Sequence, residues 1–550
     1  MLATLVGMVL LGGRLAQVQV LDRSTYSDLG TRQGTSTHEI VATRGAILDR
    51  NLSVLALSDE RPTIYADPHL VVDPVATAAE LSLVLDIDEE TIAARLASDR
   101  RFVYVARQVS LEDRDRVAEL ALPGVAFLEE STRLHPNGDD LARGVLGSLD
   151  IDQNPLSGVE AQFGELLAGS EGLAEERIAR WGMALPVGSR VYESAQAGHD
   201  LVLTLHTETQ WLTEQSLLAA VEASGAKGGM VVVLEVGTGE ILALAGASRD
   251  PETGEVRVSA HTPAFSQVFE PGSVNKTFTV AAALEEGTVR PLELFSIPPR
   301  YEFADKVFSE PYYDIPQALT VSEILAKSSN IGTIQIAETI GRDRLYSYLR
   351  RFGFGSYTGP GNTATVPSES AGIVHPADDW HGTGLATISF GQGVAVTAVQ
   401  LAAAYNTLAN DGVYLAPSLY RGTVSSDGQF HPAEAGARRR VVTADTAAIV
   451  RDMLATVVTD GTGALAAVDG FAAAGKTGTA QKPLEDAAGY SETAYVSTFA
   501  GFIPADQPQL TIVVSIDEPA EQHVAGVVAA PVFAEIAEYA LRVLRVAPSE

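Results

Sequence analysis

Cysteine is absent from all 550 residues, which excludes disulfides, thiolate metal ligands and a thiol nucleophile together. That absence is compatible with an exported location and with a cytoplasmic one. Basic residues are few, 38 against 70 acidic ones, and the net charge is -32. So acidic a surface repels phosphate backbones, and nucleic acid is not an expected partner. Lysine is the scarcest charged type, with six residues: Lys227, Lys276, Lys306, Lys327, Lys476 and Lys482. A lysine-containing motif therefore arises by chance less readily here than in an average chain. Long apolar runs are also missing at the N-terminus. LATLVGMVLLGG (2–13) is short of the about 20 residues that span a bilayer. No basic residue precedes it, and neither a basic n-region nor a clear cleavage site marks a secretory signal peptide. If 15–21 continues the helix, the segment reads as the outer part of a membrane anchor over residues 1–21 whose cytoplasmic start lies upstream. The alternative is an amphipathic helix on a soluble domain.

What is present is a globular chain. Hydrophobic residues make up 46%, enough to exclude a disordered polymer, and the length calls for two or more domains. Residues 22–199 read as a mixed α/β region. Strand-like runs lie at 62–66 and 102–105, helical ones at 75–85 and 89–97, and no catalytic constellation stands out. From Asp200 the texture changes. Residues 201–205 are strand-like. Residues 208–224 have helical spacing, with Trp211, Leu217, Leu218 and Val221 on one side. GMVVVLEV (229–236), a Gly-Thr-Gly turn and EILALAGA (240–247) predict a β-hairpin. AYVSTFAGFIP (494–504) and LTIVVSID (510–517) predict a second strand pair, and 532–544 a closing helix. Strands at both ends with helices between predict one α+β domain over 200–550, its antiparallel sheet assembled from distant parts of the chain and flanked by helices.

Chemistry concentrates at three places. EPGSVNKTFTVAAALEEG (270–287) breaks at Pro271-Gly272, and Ser273 then opens a helix that runs to Gly287 as its stop. Ser273 and Lys276, three apart, share one face of it. A serine hydroxyl needs a base beside it, and a neutral lysine amine serves. The helix start also offers a backbone N–H to an oxyanion. A second Ser-x-x-Lys, Ser224 to Lys227, sits in a glycine-bearing turn and is set aside. LTVSEILAKSSN (319–330) contains a helix opened by a capping box, Thr320 with Glu323, and ends in Ser328-Ser329-Asn330. There a hydroxyl and an amide are placed to relay a proton and hold a carbonyl. AAAGKTGTAQ (472–481) carries the chain's single Lys-Thr-Gly, Lys476-Thr477-Gly478, followed by Thr479. Gly478 within a strand admits the close approach of a ligand backbone, with Lys476 and the threonine hydroxyls on its carboxylate. The alternative for this segment alone is an ordinary strand with a bulge.

In order, Ser-x-x-Lys, Ser-x-Asn and Lys-Thr-Gly form the signature of penicillin-binding proteins and serine β-lactamases. The resemblance extends further. TRGAILDRNLSVLA (43–56) resembles the RGxxxDRNGxxLA segment that begins the pedestal of class B penicillin-binding proteins, with Leu52 in the usual glycine's place. GVEAQFGELLAGSEG (158–172) resembles the second pedestal motif. LVLTLHTETQ (201–210) resembles the opening of the transpeptidase domain, with Leu205-His206 where Ile-Asp is common. ISFGQGVAVTAVQLAAAYNTLANDG (388–412) and PVFAEI (531–536) also fit, so the resemblance covers nearly the whole chain. SFGQG with VTAVQLA, and STFAGFIPA after KTGTAQ, look more like the division-specific septal subgroup than the elongation subgroup. No segment resembles a glycosyltransferase domain.

The resemblance implies a pedestal or dimerisation-type domain over 22–199 and a penicillin-binding transpeptidase domain over 200–550. It implies catalytic Ser273, Lys276, Ser328 and Asn330. Lys476, Thr477, Gly478 and Thr479 would bind the substrate, with Lys476, Thr477 and Thr479 on the donor's carboxylate, and the backbone N–H groups of Ser273 and Thr479 would form an oxyanion hole. Ser273 would form an acyl-enzyme with a peptidoglycan stem peptide ending in D-Ala-D-Ala, or with a β-lactam antibiotic, and no metal or organic cofactor is implied. The expected location is the cytoplasmic membrane, by a single-pass anchor with the catalytic domain outside, at the division septum beside a glycan polymerase and other division partners. The alternatives are an elongation-type transpeptidase, a D,D-carboxypeptidase or β-lactamase, and a β-lactam sensor. A glutamate in a Glu-x-x-Leu-Asn loop, which class A β-lactamases need, is not found between Asn330 and Lys476.

Overall fold

The computed structural model describes residues 2–22, 35–177, 190–310, 314–484 and 489–548. The chain forms two compact units: Met1–Ala46, Glu165–Asp200 and Val424–Gln429 in one, Ile47–Gly164, Leu201–Thr423 and Phe430–Glu550 in the other.

The first unit holds the helix Leu2–Ala16, a π-helical turn Gln17–Leu21 that prolongs it, and a three-stranded antiparallel sheet. The sheet's central strand, Gly172–Arg177, lies between Thr35–Ile40 and Arg190–Glu193. Leu5, Val6, Met8, Val9, Leu10 and Leu11 are all exposed on the helix. No described helix is long and apolar enough to cross a membrane.

The second unit contains most of the pedestal as well as the catalytic half. The long strand Val54–Ala66 pairs with Val125–Leu134 and Val103–Ala106. Helices Pro74–Leu85 and Glu89–Leu96 cover it, each capped by an aspartate, Asp73 and Asp88. These agree with the runs read at 62–66, 75–85, 89–97 and 102–105. The DRN turn shows why its residue types are needed. Asp49 Oδ1 accepts the backbone N–H groups of Asn51 and Ser53, while Oδ2 accepts the hydroxyl and N–H of Thr207. Arg50 pairs with Glu235 and Glu240. The turn thus ties the first pedestal motif to the start of the catalytic half. Leu52 has φ +65°, the left-handed region that favours glycine. His206, in aspartate's usual place, still caps the next helix, its Nδ1 accepting from Thr209 N.

Helix α1 (Thr207–Ala223) leads into β1 (Gly228–Glu235), β2 (Ile241–Arg249) and β3 (Val256–Val258). There follow α2 (Lys276–Glu285), α3 (Val321–Ala326), α4 (Asn330–Ile340) and α5 (Ala398–Ala409). The chain returns through β4 (Ala474–Pro483), β5 (Tyr490–Ile503) and β6 (Leu510–Asp517), and closes with α6 (Ala530–Val543). The antiparallel sheet runs β3-β2-β1-β6-β5-β4, so both expected strand pairs form and meet where β1 joins β6. The valine-rich β1 and β6 are buried nearly throughout, as central strands between layers must be. One face carries α1 and α6, the other α5.

One packing expectation needs correcting. Trp211 of α1 is half exposed. The buried residues are instead Thr209, Gln210, Thr213, Glu214, Ser216, Leu217 and Val221, with Leu218 at their edge. This face has helical spacing too, but five of its members, Thr209, Gln210, Thr213, Glu214 and Ser216, are polar. Gln210 bonds Leu244 on both sides of its amide, and Glu214 accepts from Ala142 N. Hydrophobicity alone therefore pointed to the wrong side of the first turn.

Candidate active site

Ser273 does not start an α-helix directly. Gly272–Asn275 is a 3₁₀ turn, and α geometry begins at Lys276. The difference favours the pair, because side chains three apart eclipse on a 3₁₀ helix. Gly272 takes φ +57° and packs against Gly391, whose backbone carbonyl accepts the Gly272 N–H at 3.0 Å. Ser273 is partly exposed, while every residue from Val274 to Ala283 is buried. Phe278, tilted against Phe352 and edge-to-face with Phe354 and Tyr405, anchors α2 in the core. Gly287, φ +66°, lies just past the helix end, as read from the sequence.

The capping box of Thr320 and Glu323 starts α3 as expected. Its end is a Schellman turn: Ser329 N donates to Ile324 O, Ser328 N to Leu325 O, and Ser328 stands at φ +58°. Ser329 then caps α4 through its hydroxyl. The Ser-Ser-Asn run is thus a joint between two helices, and the joint faces Lys276. Lys276 Nζ donates to Ser328 O at 2.6 Å, to Ser328 Oγ at 3.2 Å and to Asn330 Oδ1 at 2.7 Å.

Lys476, Thr477, Gly478 and Thr479 lie on β4 at the edge of the sheet. A Cβ on Gly478 would stand 2.8 Å from Pro271 O and 3.0 Å from Val274 Cγ1. On that face the close approach expected of a ligand is made by the protein's own Ser273 turn. The three sequence segments, up to 200 residues apart, therefore meet. Thr477 Oγ1 shares a hydrogen bond with Thr462 Oγ1, and Thr479 Oγ1 accepts from Ala525 N. Thr479 is exposed, whereas Lys476 is fully buried, with Nζ donating to Thr477 O.

Burial sets the electrostatics. Lys276 is fully buried, and desolvation brings its ammonium down to about 7, opposed by the carboxylate of Glu310. Lys476 is pushed well below the usual lysine range by burial and then by charge on Lys276. Two buried ammonium groups this close disfavour the doubly charged state, so a neutral amine is available near pH 7. A buried neutral amine beside a hydroxyl is suited to accepting a proton.

Two further carboxylates belong to the site's surroundings and carried no signal in the sequence reading. Glu310 is buried, and its Oε1 accepts from Ser329 Oγ at 2.6 Å and Ile331 N at 2.7 Å. Glu270, three residues before Ser273, accepts from Gly393 N and Tyr490 OH, and burial raises its carboxyl. Only its neighbourhood to the motif could have singled it out. The discarded pair is apart from all this: Ser224 Oγ donates to Ala220 O, and exposed Lys227 pairs with Glu518.

Comparison with known proteins places this geometry. Residues 229–538 match the penicillin binding protein transpeptidase domain, and 39–203 the penicillin-binding protein dimerisation domain. The penicillin-binding protein PbpB of Mycolicibacterium smegmatis is 32% identical, over 98% of this chain and 89% of its own. The peptidoglycan D,D-transpeptidase FtsI of Escherichia coli is 31% identical, over 99% and 91%. A crystal structure of penicillin binding protein 3 from Mycobacterium tuberculosis, complexed with ampicillin, is similar with a TM-score of 0.73 at 30% identity, covering 93% of this chain and 97% of that one. With both domains matched in order along nearly its whole length, the chain belongs to the class B penicillin-binding proteins.

Proposed function

We propose that the protein is a D,D-transpeptidase that cross-links peptidoglycan stem peptides through an acyl-enzyme on Ser273, and that β-lactams acylate the same serine. The observation that carries the reading is the buried Lys276, its Nζ held by Ser328 and Asn330 one 3₁₀ turn from Ser273. Ser273 Oγ attacks the carbonyl of the penultimate D-alanine as its proton passes to Lys276 Nζ. The backbone N–H groups of Ser273 and Thr479 take the oxyanion. Collapse breaks the peptide C–N bond, and the terminal D-alanine leaves with a proton relayed through Ser328. An amine of a second stem peptide then attacks the ester and regenerates the serine. Lys476, Thr477 and Thr479 bind the donor carboxylate, whose arrival restores charge to Lys476. Asn330 orients the donor amide, and Gly478 keeps β4 against the Ser273 turn.

The domain reading is a dimerisation-type pedestal over 22–199 and a transpeptidase domain over 200–550. The protein works outside the cytoplasmic membrane at the division septum, with a separate glycan polymerase and other division partners. The exposed leucines and valines of Leu2–Ala16 support an apolar anchor at the N-terminal end, and the SFGQG and STFAGFIPA segments support the septal role.

Labelling with a fluorescent penicillin tests the chemistry. The unmutated protein is expected to be labelled stably and Ser273→Ala not at all, with its fold kept, since the partly exposed Ser273 lies within the 3₁₀ turn and is the N-cap of neither that turn nor α2. Labelling that persists in Ser273→Ala, or moves to Ser224, would sink the assignment. Rapid release of the label would indicate a hydrolase, and failure to cross-link stem peptides in vitro a sensor.

A further inference from the structure

Glu310 lies outside every sequence motif, yet it is held against the Ser-Ser-Asn joint. It ends the strand-bearing segment 306–310 and is buried, at 8% exposure. One of its oxygens, Oε1, accepts both the Ser329 hydroxyl and the Ile331 N–H. These donors flank Ser328 and Asn330, the residues that hold Lys276 Nζ. We infer that Glu310 is a positioning residue of the transpeptidase site: the Ser-Ser-Asn joint fixes its carboxylate behind the amine that Ser328 and Asn330 hold, where it keeps Lys276 able to take the proton of Ser273. The inference rests on the reading of Lys276 as the base that activates Ser273.

The physical argument is one of opposed effects at a single buried amine. Removing water from an ammonium favours its neutral form, and a nearby negative charge favours its charged form. Lys276 meets both: complete burial on one side, Glu310 on the other. Among the described residues, the charge of Lys276 also bears on Lys476 of β4, itself buried. Without Glu310, two desolvated amines would face each other, and Lys276 would give up its proton at a lower pH. A weaker base would then stand beside Ser273. Glu310 keeps Lys276 basic enough to pull a proton from serine while leaving it neutral near pH 7, the compromise general-base catalysis favours. The geometry makes the charge separable from the brace. Because Oε1 alone accepts both hydrogen bonds, a glutamine amide oxygen can make the same two.

The test is the pH profile of acylation, measured with a chromogenic or fluorescent β-lactam on the full chain from about pH 5 to pH 9. In the unmutated protein the second-order acylation rate should rise with pH to a plateau. Glu310→Gln should move the midpoint of that rise to lower pH by about half a unit or more, whatever the plateau height, because a buried charge has been removed. Glu310→Asp, which keeps the charge, should leave the midpoint near that of the unmutated protein. A midpoint that stays in place or moves upward in Glu310→Gln overturns the inference, as does one that moves as far in Glu310→Asp. A loss of stability alone would lower the amount of active protein without moving the midpoint. Absence of acylation in the unmutated protein would overturn the functional reading itself, a result distinct from an unmoved midpoint.

Discussion

At the scale of single residues, the proposed role of Lys276 makes a prediction about pH. Its ammonium lies near 7 in the folded protein, below the usual lysine value of about 10.4. A general base acts in its neutral form, so acylation should climb as pH rises through about 7 and level off above it. The sign follows from a lowered lysine: the active form is the one burial favours. Lys276→Arg keeps a cation but cannot be deprotonated usefully. Acylation of that variant should be slower by about 100-fold or more, and its profile should lose the rise near neutrality. A rate within a few-fold of the unmutated protein, in stopped-flow or gel-based labelling, would move the role of base to another group.

At the scale of elements, turns rather than helices or strands carry the unusual conformations. Leu52 and Ser328 both stand at positive φ without being glycine. The two cases differ. Ser328 sits at a helix joint whose backbone is tied by the Schellman pair and whose carbonyl faces Lys276. Leu52 is 60% exposed at the tip of the DRN turn. Its left-handed backbone costs about 1–2 kcal/mol, against the extra unfolded-state freedom of glycine, about 0.5–1 kcal/mol. Leu52→Gly should therefore stabilise the protein by up to about 1 kcal/mol, read as a rise in urea or thermal midpoint, with acylation unchanged. A fall in the midpoint would show that the leucine side chain earns its place through contacts of its own.

At the scale of the whole molecule, most of the pedestal folds as one unit with the catalytic half. Asp49, Arg50, Glu214 and Gln162 each reach across sequence separations of more than 70 residues to make that union. The chain supplies a site for cross-linking, and none of its matched domains polymerises glycan. Depleting the protein in its own cell should therefore block septation and give filamentous or branched cells, scored by microscopy with a cell-wall stain. Rounded or bulging cells that still divide would assign it to elongation and leave the chemistry at Ser273 untouched.

What the sequence determined by itself was local. Valine runs, capping boxes and a Gly-Thr-Gly turn act over a few residues, and they sufficed for the strand pairs and the helix start at Thr320, whereas Ser273 opens a 3₁₀ turn ahead of the helix expected there. The aspartate turn at 49–53 was likewise legible as a motif, and Leu52 was visible as the departure from it. Tertiary structure alone decided which groups share an environment. Trp211 faces outward because Gln210 and Glu214 find buried partners on other elements. Gly478 meets Pro271 across some 200 residues of chain. Lys276 gives up its proton more readily than an ordinary lysine because folding buries it completely. Glu310 enters the site from a segment with no motif at all, since hydrogen bonds to Ser329 and Ile331 depend on packing and leave no periodic trace. Burial and charge proximity are properties of the folded volume, and one-dimensional spacing does not encode them.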